Sequence, residues 1–182
     1  MTEIPSMNSE QVKTQKDYCD FVHALAESAS ASDRSLEDYL RALWLLIQGH
    51  KDSNLSFALC AQLLADALTS PVAPFDNEWL IFKEPPSELS QNQPIQNEYQ
   101  FLRKMILYQI ADLHRISEEG ALDAPPHILY MGASRKGGRT WYNFEPQTFL
   151  DVALGGMKAD PNLTEWDWGG LAIQLWLGQI YE

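Results

Sequence analysis

The runs His127-Ile128-Leu129-Tyr130-Met131 and Arg139-Thr140-Trp141-Tyr142-Asn143-Phe144 flank a turn, Gly132 to Gly138, and decide between an all-helical and a mixed chain. Both runs are rich in β-branched and aromatic residues, and the glycines between them supply the positive φ that tight turns require. The pattern predicts a β-hairpin over 127–144. The rest of the chain carries helical periodicity, so the expected fold class is α+β, mainly helical.

Downstream of the hairpin, Pro146 suits the first turn of a helix running to about Leu154, and Asp167 to Leu177 reads as a closing helix. Upstream, Ile95, Tyr99, Leu102, Met105, Ile106, Gln109, Ile110, Leu113 and Ile116 recur at threes and fours, with Gly120 punctuating the end. This predicts a long central helix. The short apolar run Trp79-Leu80-Ile81-Phe82, closed by Pro85 and Pro86, reads as a strand or an anchor.

The N-terminal portion reads as three helices. Asn8 and Gln11 resemble a capping box, opening a helix to about Ser28 through Val12, Tyr18, Cys19, Val22, Leu25 and Ala29. Ser35 and Asp38 cap a second, which places Leu36, Tyr39, Leu40, Leu43, Leu46 and Ile47 inward and stops at Gly49. Phe57, Cys60, Leu63, Leu64, Ala67 and Leu68 mark a third, which Pro71 prevents from continuing. The expected organisation is a helical unit, residues 1–70, packed on an α+β unit, residues 71–182. The sequence leaves open whether the two share one core.

Charge narrows the function classes. The chain has 182 residues, of which 25 are acidic and 13 basic, for a net charge of −12. That field opposes approach to phosphate backbones and anionic lipid, so neither nucleic acid nor a membrane is an expected partner. After residue 140 only Lys158 faces Glu145, Asp151, Asp160, Glu165, Asp167 and Glu182, which would draw a basic partner. Cys19 and Cys60 fall at apolar helix positions and read as small buried hydrophobes, not a disulfide framework. The start lacks the basic and apolar regions of a signal peptide, and the apolar run Ala42 to Ile47 falls far short of the roughly 20 residues of a membrane span. A cytoplasmic location is expected.

The segment from about Glu98 onward resembles a family of uncharacterised bacterial proteins, a domain of unknown function. The motifs that carry this are Tyr108-Gln109-Ile110-Ala111-Asp112-Leu113, Tyr130-Met131-Gly132, Gly138 to Phe144 with Pro146, Phe149-Leu150-Asp151, and Gly178-Gln179-Ile180-Tyr181-Glu182. The chain departs from the pattern at Met157 to Thr164, where the family has a long glycine-rich insertion. The N-terminal portion is similar to a second small helical bacterial domain of unknown function, through Thr14, Asp17, Tyr18, Phe21 and Leu36-Glu37-Asp38-Tyr39-Leu40. Neither resemblance implies an activity or a catalytic residue. Together they imply a small protein encoded beside toxin and antitoxin-like genes.

Candidate chemistry is sparse. Arg135, Lys136 and Arg139 in the glycine-rich turn could hold an anion, although a strand follows where a phosphate loop would open a helix. A solvated hairpin tip explains the same residues. Burial of their large rings makes most of the tryptophans core, but Trp166 and Trp168 flank Asp167 and cannot share its face of a helix or strand, which makes one of them a candidate for exposure as an interface anchor. Trp166, Asp167, Trp168 and Tyr181 are accordingly the expected partner-binding residues. His23 follows Cys19 by four positions, a zinc-compatible spacing, but two ligands make no site, and neither metal nor cofactor is expected. Asp112, Glu145 and Asp151 would do acid–base work only if folding brought them together.

The functional expectation is a non-catalytic, acidic protein-interaction protein, immunity-like, binding a basic protein partner, with self-association through the same patch as a variant. The alternative is a small-ligand or anion-binding protein or enzyme using a cleft beside the 127–144 hairpin, with Arg135 and Arg139 as clamps. The first requires a shallow apolar patch with an acidic rim, and the second a deep pocket with convergent titratable groups.

Overall fold

A computed structural model describes residues 8–84, 86–90, 95–118, 145–154 and 157–179. Its helices are α1 (Gln15–Ala29), α2 (Leu36–Gln48), α3 (Phe57–Asp66), α4 (Ser87–Ser90), α5 (Glu98–Glu118), α6 (Pro146–Ala153) and α7 (Trp168–Gln179), with 3-10 turns at Ser9–Gln11 and Asn77–Ile81. The α+β expectation is corrected by this: the fold is mainly helical, and no strand occurs among the described residues. The 127–144 hairpin lies outside the described residues. The other strand candidate, Trp79 to Phe82, is instead largely a 3-10 turn, started by Asp76 Oδ1 accepting the Glu78 N–H. Its apolar residues do not alternate across a sheet. Trp79 turns inward, edge-on to Trp44 at 4.9 Å and to Phe75 at 5.4 Å, while Ile81 is 74% exposed. The run is an anchor.

Hydroxyl side chains mark where the N-terminal helices begin. Ser35 accepts the Asp38 N–H and Ser56 the Leu59 N–H. Thr14 accepts the Asp17 N–H, and the Asp17 carboxylate in return accepts from the backbones of Thr14 and Lys13. The backbone N–H of Lys13 leads the contacts that hold the Asp17 carboxyl below its usual range. The capping box read at Asn8 and Gln11 also forms, but it closes only the turn Ser9–Gln11. Val12 is extended, and α1 starts afresh at the second box. Pro146 opens α6, where its missing N–H costs nothing.

Side chains from α1, α2, α3, α5, α6 and α7 fill one apolar cluster. α5 packs between α2 and α7, α6 packs on α7, and α1 closes over α6 and α3. Arginines tie the connecting segments down. Arg34 donates to Ala67 O at 2.6 Å, Arg41 to Ala73 O at 2.8 Å, and Arg115 to Phe82 O at 3.0 Å. The chain's start also meets its later portion, since Gln15 N–H donates to Leu163 O and Lys16 N–H to Asp160 O. No described helix is long and apolar enough to cross a membrane.

Candidate functional site

The Trp166-Asp167-Trp168 segment enters α7, and the three side chains part company there. Asp167 caps the helix, its Oδ1 accepting the Gly170 N–H at 2.7 Å. Trp168 turns into the core, donates from Nε1 to Ser53 O at 3.1 Å and meets Tyr99 edge-on. Trp166 is half-buried, lying parallel to Phe57 with ring centroids 5.0 Å apart and tilted against Tyr18 at 6.0 Å. Gly170 makes that position possible: a Cβ there would stand 3.0 Å from the Trp166 ring. Glu98 of α5 sits beside the same helix start, and burial, then the nearby Asp167 charge, push its carboxyl up.

Behind Trp166 lies a buried polar network. The Tyr18 hydroxyl donates to Gln174 Oε1 at 2.5 Å, and Cys60 Sγ–H donates to the Tyr18 oxygen at 3.2 Å. Trp166 also interacts with the Cys60 thiol, although its Nε1 reaches no partner at ordinary hydrogen-bond geometry. Gln174 Nε2 is likewise unpartnered, in a residue only 2% exposed. An orphaned buried donor costs on the order of 1–3 kcal/mol. Burial pushes the Cys60 thiol up to about 12 and raises the Tyr18 phenol as well. Both therefore stay protonated near neutral pH, and a protonated, enclosed thiol is no nucleophile.

In front of Trp166 is a groove of about 190 Å³ between the start of α1, the end of α6 and α7. Ala153, Met157, Ile173 and Leu177 give it aliphatic walls, and Gln15, Lys158 and Gln174 add the polar lining. Ile173 and Leu177 are four residues apart on one face of α7 and remain 43% and 39% exposed.

The other residues singled out in the sequence have different neighbours. Arg135, Lys136, Arg139 and Tyr181 lie outside the described residues. Asp112 is buried on α5, 3.4 Å from Arg115. Asp151 on α6 faces His23 Nδ1 at 3.5 Å, and His23 Nε2 faces Glu27 at 3.6 Å. Glu145 stands exposed before α6 and makes no side-chain cap. His114 stacks on Phe75 with centroids 3.7 Å apart and reaches Glu37 at 3.4 Å. No group of three or more His, Cys, Asp or Glu side chains suited to a metal occurs among the described residues.

Sequence reasoning missed Gln174 and the groove. The available signal was a glutamine between Leu171 and Leu175 on an otherwise apolar helix, a register at which a polar group must find a partner inside. Comparison with protein-family models, with curated proteins and with solved structures yields no match.

Proposed function

We propose that this is a cytoplasmic, acidic protein-interaction module, immunity-like in engaging a basic protein partner, and that the partner inserts an apolar side chain into the groove between α1, α6 and α7. The observation that carries the reading is the exposed Ile173 and Leu177 pair beside Trp166, opening an aliphatic groove of about 190 Å³. Aromatic residues and Met are enriched where proteins dock, and here Trp166 and Met157 stand in one lining. The net charge of −12 selects the sign of the partner by speeding the encounter with a basic surface. Asp160, Glu165 and Asp167, along the segment that supplies Trp166, would add to that steering.

The test is capture by the tagged wild-type chain and by an Ile173→Asp, Leu177→Asp variant with matched thermal stability. A basic protein retained by the wild type, lost on the variant and weakened by salt is the expected result. Retention indifferent to both the substitutions and salt would overturn the reading.

A further inference from the structure

The geometry points to the chemistry of the groove's occupant: an aliphatic residue carrying a free carboxylate, as at the C-terminal end of a partner chain. This rests on the groove being the interaction site. Among the described residues of a chain with 25 acids, the groove lining contains no carboxylate and one cation, Lys158, which forms no ion pair. Gln174 reinforces that sign. The Tyr18 hydroxyl occupies Gln174 Oε1 and so fixes the amide, leaving Nε2 as the unpartnered end. The Trp166 N–H turns instead toward the Cys60 thiol, and its ring contributes apolar wall. That amide N–H is not open to water, and in a low-dielectric setting an unanswered N–H dipole leaves the surface above it electropositive. A negative, acceptor-bearing group is the complement.

The walls supply the rest of the specification. Ala153, Met157, Ile173 and Leu177 ask for aliphatic bulk next to that charge. At roughly 30 Å³ per water, 190 Å³ corresponds to about six waters, on the scale of one aliphatic residue with its carboxylate. An internal Asp or Glu has charge without a branched apolar body, and an internal Leu or Val has the body without charge. A terminal aliphatic residue joins both at one Cα, and capture of a chain-end carboxylate is a known mode of peptide recognition. A partner that is basic overall and steered by the −12 field would still present this one negative group to Lys158.

The experiment follows the Trp166 indole N–H by nuclear magnetic resonance in the full chain, assigned with Trp166→Phe, during titration with N-acetyl-leucine or N-acetyl-leucinamide. These probes share the side chain and differ in the carboxylate. N-acetyl-leucine is expected to give a saturable shift with a Kd of about 1 mM, in line with a ligand of this size. The amide is expected to bind about tenfold more weakly, Lys158→Ala to lose about tenfold for the acid, and Lys158→Arg to retain it. Lys158 is exposed, so these variants leave the fold intact. No shift with N-acetyl-leucine, or equal binding of acid and amide, overturns the inference. Partner capture that needs Ile173 and Leu177 yet resists saturating N-acetyl-leucine overturns the terminal carboxylate while leaving the interaction reading standing. Capture indifferent to Ile173→Asp and Leu177→Asp removes that reading itself.

Discussion

The Tyr18 hydroxyl donates to Gln174 Oε1 at 2.5 Å, joining α1 to α7 across 156 positions of sequence. The same oxygen accepts from Cys60 on α3, so one phenol holds three helices. Removing it strands a buried amide oxygen. Tyr18→Phe should therefore cost about 1–3 kcal/mol, more than the average worth of a hydrogen bond, because the partner is left without solvent. Adding Gln174→Met should recover part of the loss, since both polar groups then leave together. Urea melts of the two single variants and the double variant measure this, and strictly additive losses would contradict it.

Alkaline pH should weaken the fold through the same network. Burial raises Cys60 from 9.0 to about 12, and raises Tyr18 and Tyr39 above 10.0. The folded chain thus holds these protons more tightly than the unfolded one. Their contribution is complete below pH 9 and is lost as pH climbs toward about 12, with a slope of about 1.4 kcal/mol per pH unit for each group. Denaturant titrations from pH 7 upward should show decline starting near pH 9 in the wild type and a shallower decline between pH 9 and 10 in Cys60→Ala, where Cys19, also raised by burial, still contributes. A profile that stays level through this window in the wild type would refute the argument.

Two glycines should respond in opposite directions. A Cβ at Gly178 would stand 2.8 Å from Phe149 O and 3.0 Å from its ring, where α6 and α7 meet. Backbone cannot rotate aside, so Gly178→Ala should cost about 1–3 kcal/mol. Gly49 ends α2 at φ −71° and ψ −9°, and the nearest atom to an added Cβ is Leu46 O at 3.5 Å. Alanine fits that conformation, and Gly49→Ala should stabilise by about 0.4–1 kcal/mol by narrowing the unfolded ensemble. Thermal melts of both variants give the signs directly.

α7 should separate structural from surface residues two positions apart. Leu175 is fully enclosed, and Leu175→Ala should cost about 2–5 kcal/mol. Ile173 is substantially exposed, and Ile173→Asp should change stability by less than about 1 kcal/mol. A collapse of Ile173→Asp in chemical denaturation would mean that this side chain belongs to the core instead of the groove.

Much of the helical frame was readable because its signals are local. Ser35 with Asp38, the apolar stripe from Phe57 to Leu68, Pro146 and the threes-and-fours pattern of 99–113 each act within a few residues, and α2, α3, α5 and α6 lie where those signals place them. The start of α1 was misplaced because two capping boxes, at Asn8 and at Thr14, compete within one short stretch, and only the second leads into continuous helix. The strand-or-anchor ambiguity of Trp79 to Phe82 is resolved by the nearby Phe75 and by Trp44, which only the packing of α2 brings to it. Periodicity also said that Tyr18 and Cys60 point inward, but not that they meet each other and Gln174. That pairing exists only once α1, α3 and α7 are assembled, and so does the groove. Strand and helix geometry made one of Trp166 and Trp168 a candidate for exposure, whereas the identity of the enclosed ring depended on Ser53 O being in reach of Trp168.

The contact of α1 with the 160–163 segment has a consequence for biosynthesis. Gln15 is completed by a residue 145 positions later, and Tyr18 by one later still. At about 5–20 residues per second, a ribosome would leave the first helix without its Asp160 and Gln174 contacts for roughly 7 to 30 s. During that interval the face bearing Tyr18 is covered only in part, by α3, so the packing of the first helix is completed only once most of the chain has been made.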